Sequence, residues 1–291
     1  MKEGALQNRF HSYTETNVGG SFAMAEAIPA SDIRRSVLRL QGFEALAPLS
    51  FSDRVPADLF LPLIINFGER WDIASGGGTA STFDSFTAGL IDRHTQITAH
   101  GRPACLQIDL TPFGARALFG QPLHQLAGSV ADLSDLLGTD ALELIDRLAG
   151  LRDWRSRLHL ADSFVRQRLQ RASLPDRRAF AAWRMMHGSG GRARVSVIAQ
   201  RLDVSREHLS RLFREQVGHS PKAVSRIIRF RRAQALAPSL SFDWASVAHE
   251  AGYADQAHFI REFGRMSGET PMSWAASHLF NTDPQETGKL G

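Results

Sequence analysis

A single cysteine, Cys105, in 291 residues rules out an intramolecular disulfide and a multi-cysteine zinc site. No apolar run approaches the length of a membrane span. Residues 1–30 lack the apolar block of a signal peptide, so a cytoplasmic, nucleoid-associated protein is expected. The glycine-rich stretch Gly76 to Ser81 (GGGTAS) has no Lys-Ser/Thr after it and no GxGxxG, which excludes a nucleotide loop. His94 and His100 stand six apart without a matched carboxylate, a spacing that suits structural or surface roles better than metal binding. No metal, cofactor or catalytic residue is therefore expected.

The composition is that of a globular chain, 43% apolar and 22% charged, and the length suggests two domains. The net charge of +4 is unevenly distributed. Residues 171–280 hold 17 Lys and Arg against 9 Asp and Glu, whereas residues 1–170 hold 16 against 19. A basic back half beside a slightly acidic front half is the footprint of a phosphate-binding module joined to a different kind of domain.

Residues 1–28 show no period and read as a loose arm, ahead of a front domain over 29–171. Val37 to Gln41 reads as a strand, Leu61 to Phe67 as a buried strand with Trp71 to Ala74 as its hairpin partner, and Phe86 to Ile91 and Thr95 to Ala99 as further strands. In Ala104 to Leu110, Leu106, Ile108 and Leu110 share one face. These segments predict a small antiparallel barrel or sandwich. Cys105 falls within it as a core or half-buried residue, and Phe67, Trp71, Phe86 and Ile108 line either a ligand cavity or a dry core. After Thr111-Pro112 the period becomes helical, with short or amphipathic helices over 114–120, 140–149 and 153–170. Residues 172–178 (ASLPDRR) read as a linker, 176–187 as a helix and 281–291 as a tail.

The back half contains one small design twice. A shift of 50 residues superposes His208 on His258, Leu209 on Phe259, Arg211 on Arg261, Phe213 on Phe263, Gly218 on Gly268 and Pro221 on Pro271. Upstream the shift is 49, matching Ala199 with Ala248 and Asp203 with Gly252, so the extra residue lies in the second copy's turn. Each copy reads as two short helices around a tight turn. Ser205 and Asp255 are suited to cap the second helix of each pair, and Asp203 and Gly252 to hold a positive φ in the turn. Pro221 opens a third helix that joins the copies.

These paired units, the joining helix with Arg229 four before Ala233, and the run Gly-Tyr-Ala-Asp-Gln-Ala-His-Phe resemble the DNA-binding domain of AraC/XylS-type transcriptional regulators over residues 174–280. The front half resembles the family more weakly, mainly in Asp109 to Gly120. The resemblance implies an α+β chain: a β-barrel or sandwich followed by helices, then an all-α domain with two helix-turn-helix units. It also implies promoter DNA as partner, and a front domain that senses a small molecule, dimerises, or both, with RNA polymerase a further candidate partner.

Subtracting the buried Leu209, Leu212 and Phe213 leaves Arg206, Glu207, Ser210, Arg211 and Arg214 on the open face of the first reading helix. By resemblance, Glu207, Ser210 and Arg211 occupy base-reading positions. Arg211 suits guanine through a bidentate pair, while Glu207 either accepts from cytosine or repels wrong partners. The second helix exposes Gln256, Ala257, Ile260 and Arg261. Gln256 suits adenine, and Arg261 suits guanine or phosphate. Ala257 and Ile260 either touch thymine methyls or leave this helix weakly discriminating. His208 and His258 read as residues that cap, pack or touch phosphate rather than as base readers. Arg194, Arg214, Lys222 and Arg265 are candidate phosphate grips. Arg226, Arg229, Arg231 and Arg232 share the joining helix, and by resemblance Arg229 is partly structural. Competing readings are an architectural DNA binder without an effector, and an alkyltransferase-like repair enzyme, which needs a reactive cysteine.

Overall fold

The computed structural model describes residues 10–17 and 20–280. Ten strands come first among these residues, and an eleventh follows the first helix: β1 (Phe10–Asn17), β2 (Gly20–Ala27), β3 (Val37–Ala45), β4 (Leu49–Val55), β5 (Leu61–Asn66), β6 (Trp71–Ser75), β7 (Ser81–Phe83), β8 (Phe86–Ala88), β9 (Thr95–Gly101), β10 (Ala104–Leu110) and β11 (Val130–Asp132). They form a seven-stranded sheet, order β1-β2-β3-β10-β5-β8-β11, and a four-stranded sheet, order β4-β9-β6-β7. Every pairing is antiparallel.

The period-two alternation of strands accounts for the layering. In β5 and β10, Leu61, Leu63, Ile65, Leu106, Ile108 and Leu110 face a helical layer, while Ile64 and Cys105 face the other sheet. Between the sheets Trp71, Phe86 and Ile73 pack with Phe43 and Phe51. Burial pushes the Cys105 thiol up to about 12. Asp109 is buried but paired, accepting from Arg39 Nε and Gln107 Nε2 at 2.7 Å each.

Two expectations are corrected here. Residues 10–17 and 20–27 are not a loose arm: β1 and β2 pair antiparallel and extend the large sheet through β3, with Phe22 and Ala25 buried. Their apolar residues are diluted by Ser, Thr and Glu on the exposed face, which hid the alternation. The rest of that arm, and the tail 281–291, lie outside the described residues. Trp71 to Ala74 is a strand, but its partners are β7 and β9 rather than β5. The chain crosses between sheets at Phe67–Arg70, where Asn66 accepts from Trp71 Nε1 at 3.2 Å.

The helical layer consists of α1 (Pro112–Phe119), a single turn at Leu123–Gln125, α2 (Leu133–Leu137), α3 (Thr139–Ala149) and α4 (Trp154–Arg171). Thr111 caps α1 by accepting from Gly114 N at 3.1 Å. On α4, Trp154 lies so close over Gly42 of β3 that an added Cβ would sit 2.2 Å from the indole. Leu158, Ala161 and Val165 of α4 continue the core.

Candidate nucleic-acid interface

Seven helices complete the described chain: α5 (Arg177–Gly188), α6 (Val195–Arg201), α7 (Arg206–Val217), α8 (Pro221–Leu236), α9 (Trp244–Ala251), α10 (Gln256–Ser267) and α11 (Pro271–Phe280). Each unit repeats the same local chemistry. Asp203 at φ 52° and Gly252 at φ 91° make the left-handed turns. Ser205 then caps α7 by accepting from His208 N at 3.0 Å, and Asp255 caps α10 by accepting from His258 N at 2.7 Å. The one-residue difference in the turns leaves these two caps in register.

Burial divides α7 and α10 each into two faces. Leu209, Leu212, Phe213 and Val217 of α7 are buried, as are Phe259, Glu262, Phe263 and Met266 of α10. Arg206, Glu207, Arg211 and Arg214 are exposed on the first, Ser210 is half-buried, and Gln256, Ala257, Ile260 and Arg261 are exposed on the second. Ile260 keeps 44% of its surface in water. Arg211 donates to His208 Nδ1 at 3.0 Å and lies 3.4 Å from Glu215. Backbone and Ser205 hydrogen bonds at the helix start hold the Glu207 carboxyl below the usual range.

The joining helix α8 belongs to both units. Val224 and Ile228 lie in the core containing Leu209 and Phe213, while Ile227, Phe230 and Ala233 lie in the core containing Phe259 and Phe263. Its arginines are mostly engaged. Arg226 Nε donates to the buried Glu262 of α10, and Arg229 Nη2 stands 3.7 Å from the same carboxylate. Arg229 also donates to Gly191 O at 3.2 Å and lies over Tyr253, 5.4 Å from the ring centre. His258 Nε2 is 3.4 Å from Glu262, a packing position rather than an outward one. Arg231 pairs with Asp58 at 3.3 Å, and Arg232 donates to Glu250 O at 3.1 Å. Lys222 and Arg194 are exposed.

Arg265, a candidate phosphate grip, donates to Asp92 Oδ2 of the front domain at 2.7 Å. Asp92 also stands 3.6 Å from Arg226. Around it, front-domain donors satisfy carbonyls at the end of α10: Ala57 N on Met266 O at 2.9 Å, His94 N on Arg265 O at 3.2 Å, and Arg54 Nη1 on Gly268 O at 2.7 Å. This docking engages the far end of α10 and leaves its first turns open. Sequence reasoning missed Asp92, Asp58 and Glu262, since isolated acids carry no periodic signal. Glu262 alone had a clue, standing where the first copy has Leu212.

Among the described residues, no group of three or more His, Cys, Asp and Glu side chains is placed to hold a metal ion, and no helix is long and apolar enough to cross a membrane.

Several known proteins are similar to this chain over part of its length. A family profile described as a helix-turn-helix domain matches residues 198–277. The HTH-type transcriptional regulator GlxA of Rhizobium meliloti is 28% identical over 219 residues, 70% of this chain and 65% of that protein. The Msm operon regulatory protein of Streptococcus mutans is 29% identical over 82 residues, 28% of this chain and 30% of that protein. The chain thus spans less than two thirds of either relative. Among solved structures, ToxT from Vibrio cholerae aligns with 78% of this chain and 97% of its own at 11% identity and TM-score 0.43. The DNA-binding domain of AdpA, solved with a target DNA, aligns with 38% of this chain and 99% of its own at 22% identity and TM-score 0.35. The profile spans both duplicated units, so over residues 198–277 the chain is similar to helix-turn-helix domains, and the two named relatives are regulatory proteins.

Proposed function

We propose that this protein is a sequence-specific transcriptional regulator that reads two adjacent major grooves of promoter DNA, one with each helix-turn-helix unit. The observation that carries this reading is the matched pair of exposed arginines, Arg211 and Arg261, at equivalent positions on equivalently capped helices. In this reading Arg206, Glu207, Ser210 and Arg211 face one set of bases, and Gln256, Ala257, Ile260 and Arg261 the other. Ala257 and Ile260 supply apolar contact to thymine methyls. Arg194, Arg214 and Lys222 grip phosphate, and Arg265 joins them when it leaves Asp92. Two helices in successive grooves on one face sit about 34 Å apart, so the joining helix acts as a spacer.

The division into a front domain over 29–171, extended by β1 and β2, and a DNA-binding domain over 174–280 belongs to the same proposal. So do dimerisation through the front domain, a small-molecule effector, contact with RNA polymerase and a cytoplasmic setting. The alkyltransferase reading lacks support, since the buried Cys105 thiol stays protonated at neutral pH. The test is a gel-shift titration of the full chain with a fragment of its own promoter against a shuffled duplex. Preference for the promoter, with affinity falling steeply as salt rises, is expected. Equal affinity for both duplexes would leave an architectural binder, and no binding to either would sink the proposal.

A further inference from the structure

A groove of about 600 Å³ opens beside the segment that leads from the front domain into the helix-turn-helix region, well within the range of small-molecule sites. Three pieces of chain wall it: α1, the facing sides of α3 and α4, and residues 172–175, with Gln216 of reading helix α7 at one end. Its lining includes the apolar Leu144 and Phe164, and Arg116, Arg147, Arg168 and Arg171 beside Asp140 and Glu143.

The charges are not balanced locally. Arg168 is committed: it pairs with Asp140 and donates through Nε to Leu118 O at 3.1 Å. That leaves three guanidinium groups facing one carboxylate, in a half of the chain whose net charge is negative. Arg116 is the telling member. Its Nε is buried and has no hydrogen-bond partner. That nitrogen has no exposed surface, so an anion in the groove is left the other N–H groups of the Arg116 guanidinium. Guanidinium groups suit carboxylate and phosphate oxygens, which they bind through a planar fork. On the rim, Leu174 is 93% exposed, an apolar side chain left in water beside the groove.

We propose that this groove is a binding site for a small organic anion, a carboxylate or phosphate group on a short carbon body, with Arg116 and Arg147 as its principal ligands. The anionic group accepts from Arg116, Arg147 and Arg171, and its body rests on Phe164 and Leu144 beneath Leu174. The proposal deepens the regulatory reading and rests on it for purpose. An anion held here touches the front-domain helices and the connecting segment. It also reaches the first reading helix through Gln216, whose side chain accepts from Asp176 N at 3.4 Å. The ligand thus reports to the first unit without entering the β-sandwich.

The test is isothermal titration of the full chain with citrate and, separately, inorganic phosphate, at ionic strength held constant with sodium chloride and without DNA. Arg116→Gln and Arg147→Gln are compared with Arg70→Gln, an equal charge change at an exposed site away from the groove. Saturable binding of at least one probe is expected, weakened roughly tenfold or more by Arg116→Gln and unchanged by Arg70→Gln. Arg147, on an exposed helix face, serves if Arg116→Gln fails to fold. Binding of citrate alone assigns a carboxylate ligand, and binding of phosphate alone a phosphorylated one. Absence of saturable binding for both, or equal weakening by all three substitutions, overturns the site. Because DNA is absent, a failed titration beside intact promoter binding sinks only this proposal. Saturable anion binding beside failed promoter binding sinks the regulatory reading instead.

Discussion

Leu209, Phe213 and Val217 of the first helix-turn-helix unit lie in the same hydrophobic cluster as Leu118 and Leu123 of the front domain, and Phe113 packs edge-on against Trp183 of α5 at 5.8 Å. His219 Nε2 adds a hydrogen bond to Leu90 O at 2.7 Å. The second unit instead closes a core of its own around Phe230, Phe259 and Phe263. Apart from Ala57 and Leu59, it meets the front domain through carbonyl caps and the pairs of Asp92 and Asp58 with arginine. One module is thus held by two kinds of force. Shared apolar burial is insensitive to salt, whereas part-exposed ion pairs are worth about 0–1 kcal/mol each and are screened. The first unit shares its core with the front domain, and the second is joined to it mainly by polar contacts.

The largest effects probe that contrast directly. Phe213→Ala should cost about 3–5 kcal/mol and lower the melting of front domain and first unit together, since their core is continuous. Phe230→Ala should cost a similar ~3–5 kcal/mol, but hydrogen exchange should accelerate only in the second unit. Concerted loss of protection in both variants would break the comparison. Glu262→Ala comes next, at about 3 kcal/mol in chemical denaturation, because it strands two α8 arginines beside a partly buried site. In the first copy the same register holds Leu212, and no such charge locks the helices.

Smaller effects sharpen it. Asp92→Asn frees Arg265 and loosens Arg226, and is expected to tighten promoter binding by roughly two- to fivefold at low salt. In fluorescence anisotropy the gain should fade as salt rises; an unchanged affinity would mean that Arg265 never reaches phosphate. The smallest effect is that of Glu207 on the start of α7. Its carboxyl is lowered from 4.5, so its stabilising contribution is present at neutral pH and lost as pH falls through that lowered value. Circular dichroism of wild type and Glu207→Gln should therefore differ slightly at pH 7 and converge in acid.

The repeat was legible because its constraints are local: a cap, a positive-φ turn residue and apolar spacing, each spelled by a few neighbouring residues. Asp203, Ser205, Gly252 and Asp255 behave as those rules require. The front domain was legible in its strands but not in their pairing. Trp71 follows Asn66 closely enough for a hairpin, yet its backbone bonds go to β9, some 28 residues ahead at Ala99. Sheet membership is decided by which apolar face finds a partner, and that is not written within one strand. Asp92 and Arg265 are 173 residues apart, so their contact left no local mark.

The most direct measurement is selection of preferred duplexes from random sequence with the full chain, then with Arg211→Ala and Arg261→Ala. The expected result is a two-part site with its halves about one helical turn apart, each substitution relaxing a different half by about 1–3 kcal/mol per base contact. A site with one half only, or two substitutions that erase the same bases, would contradict a pair of readers on one joining helix.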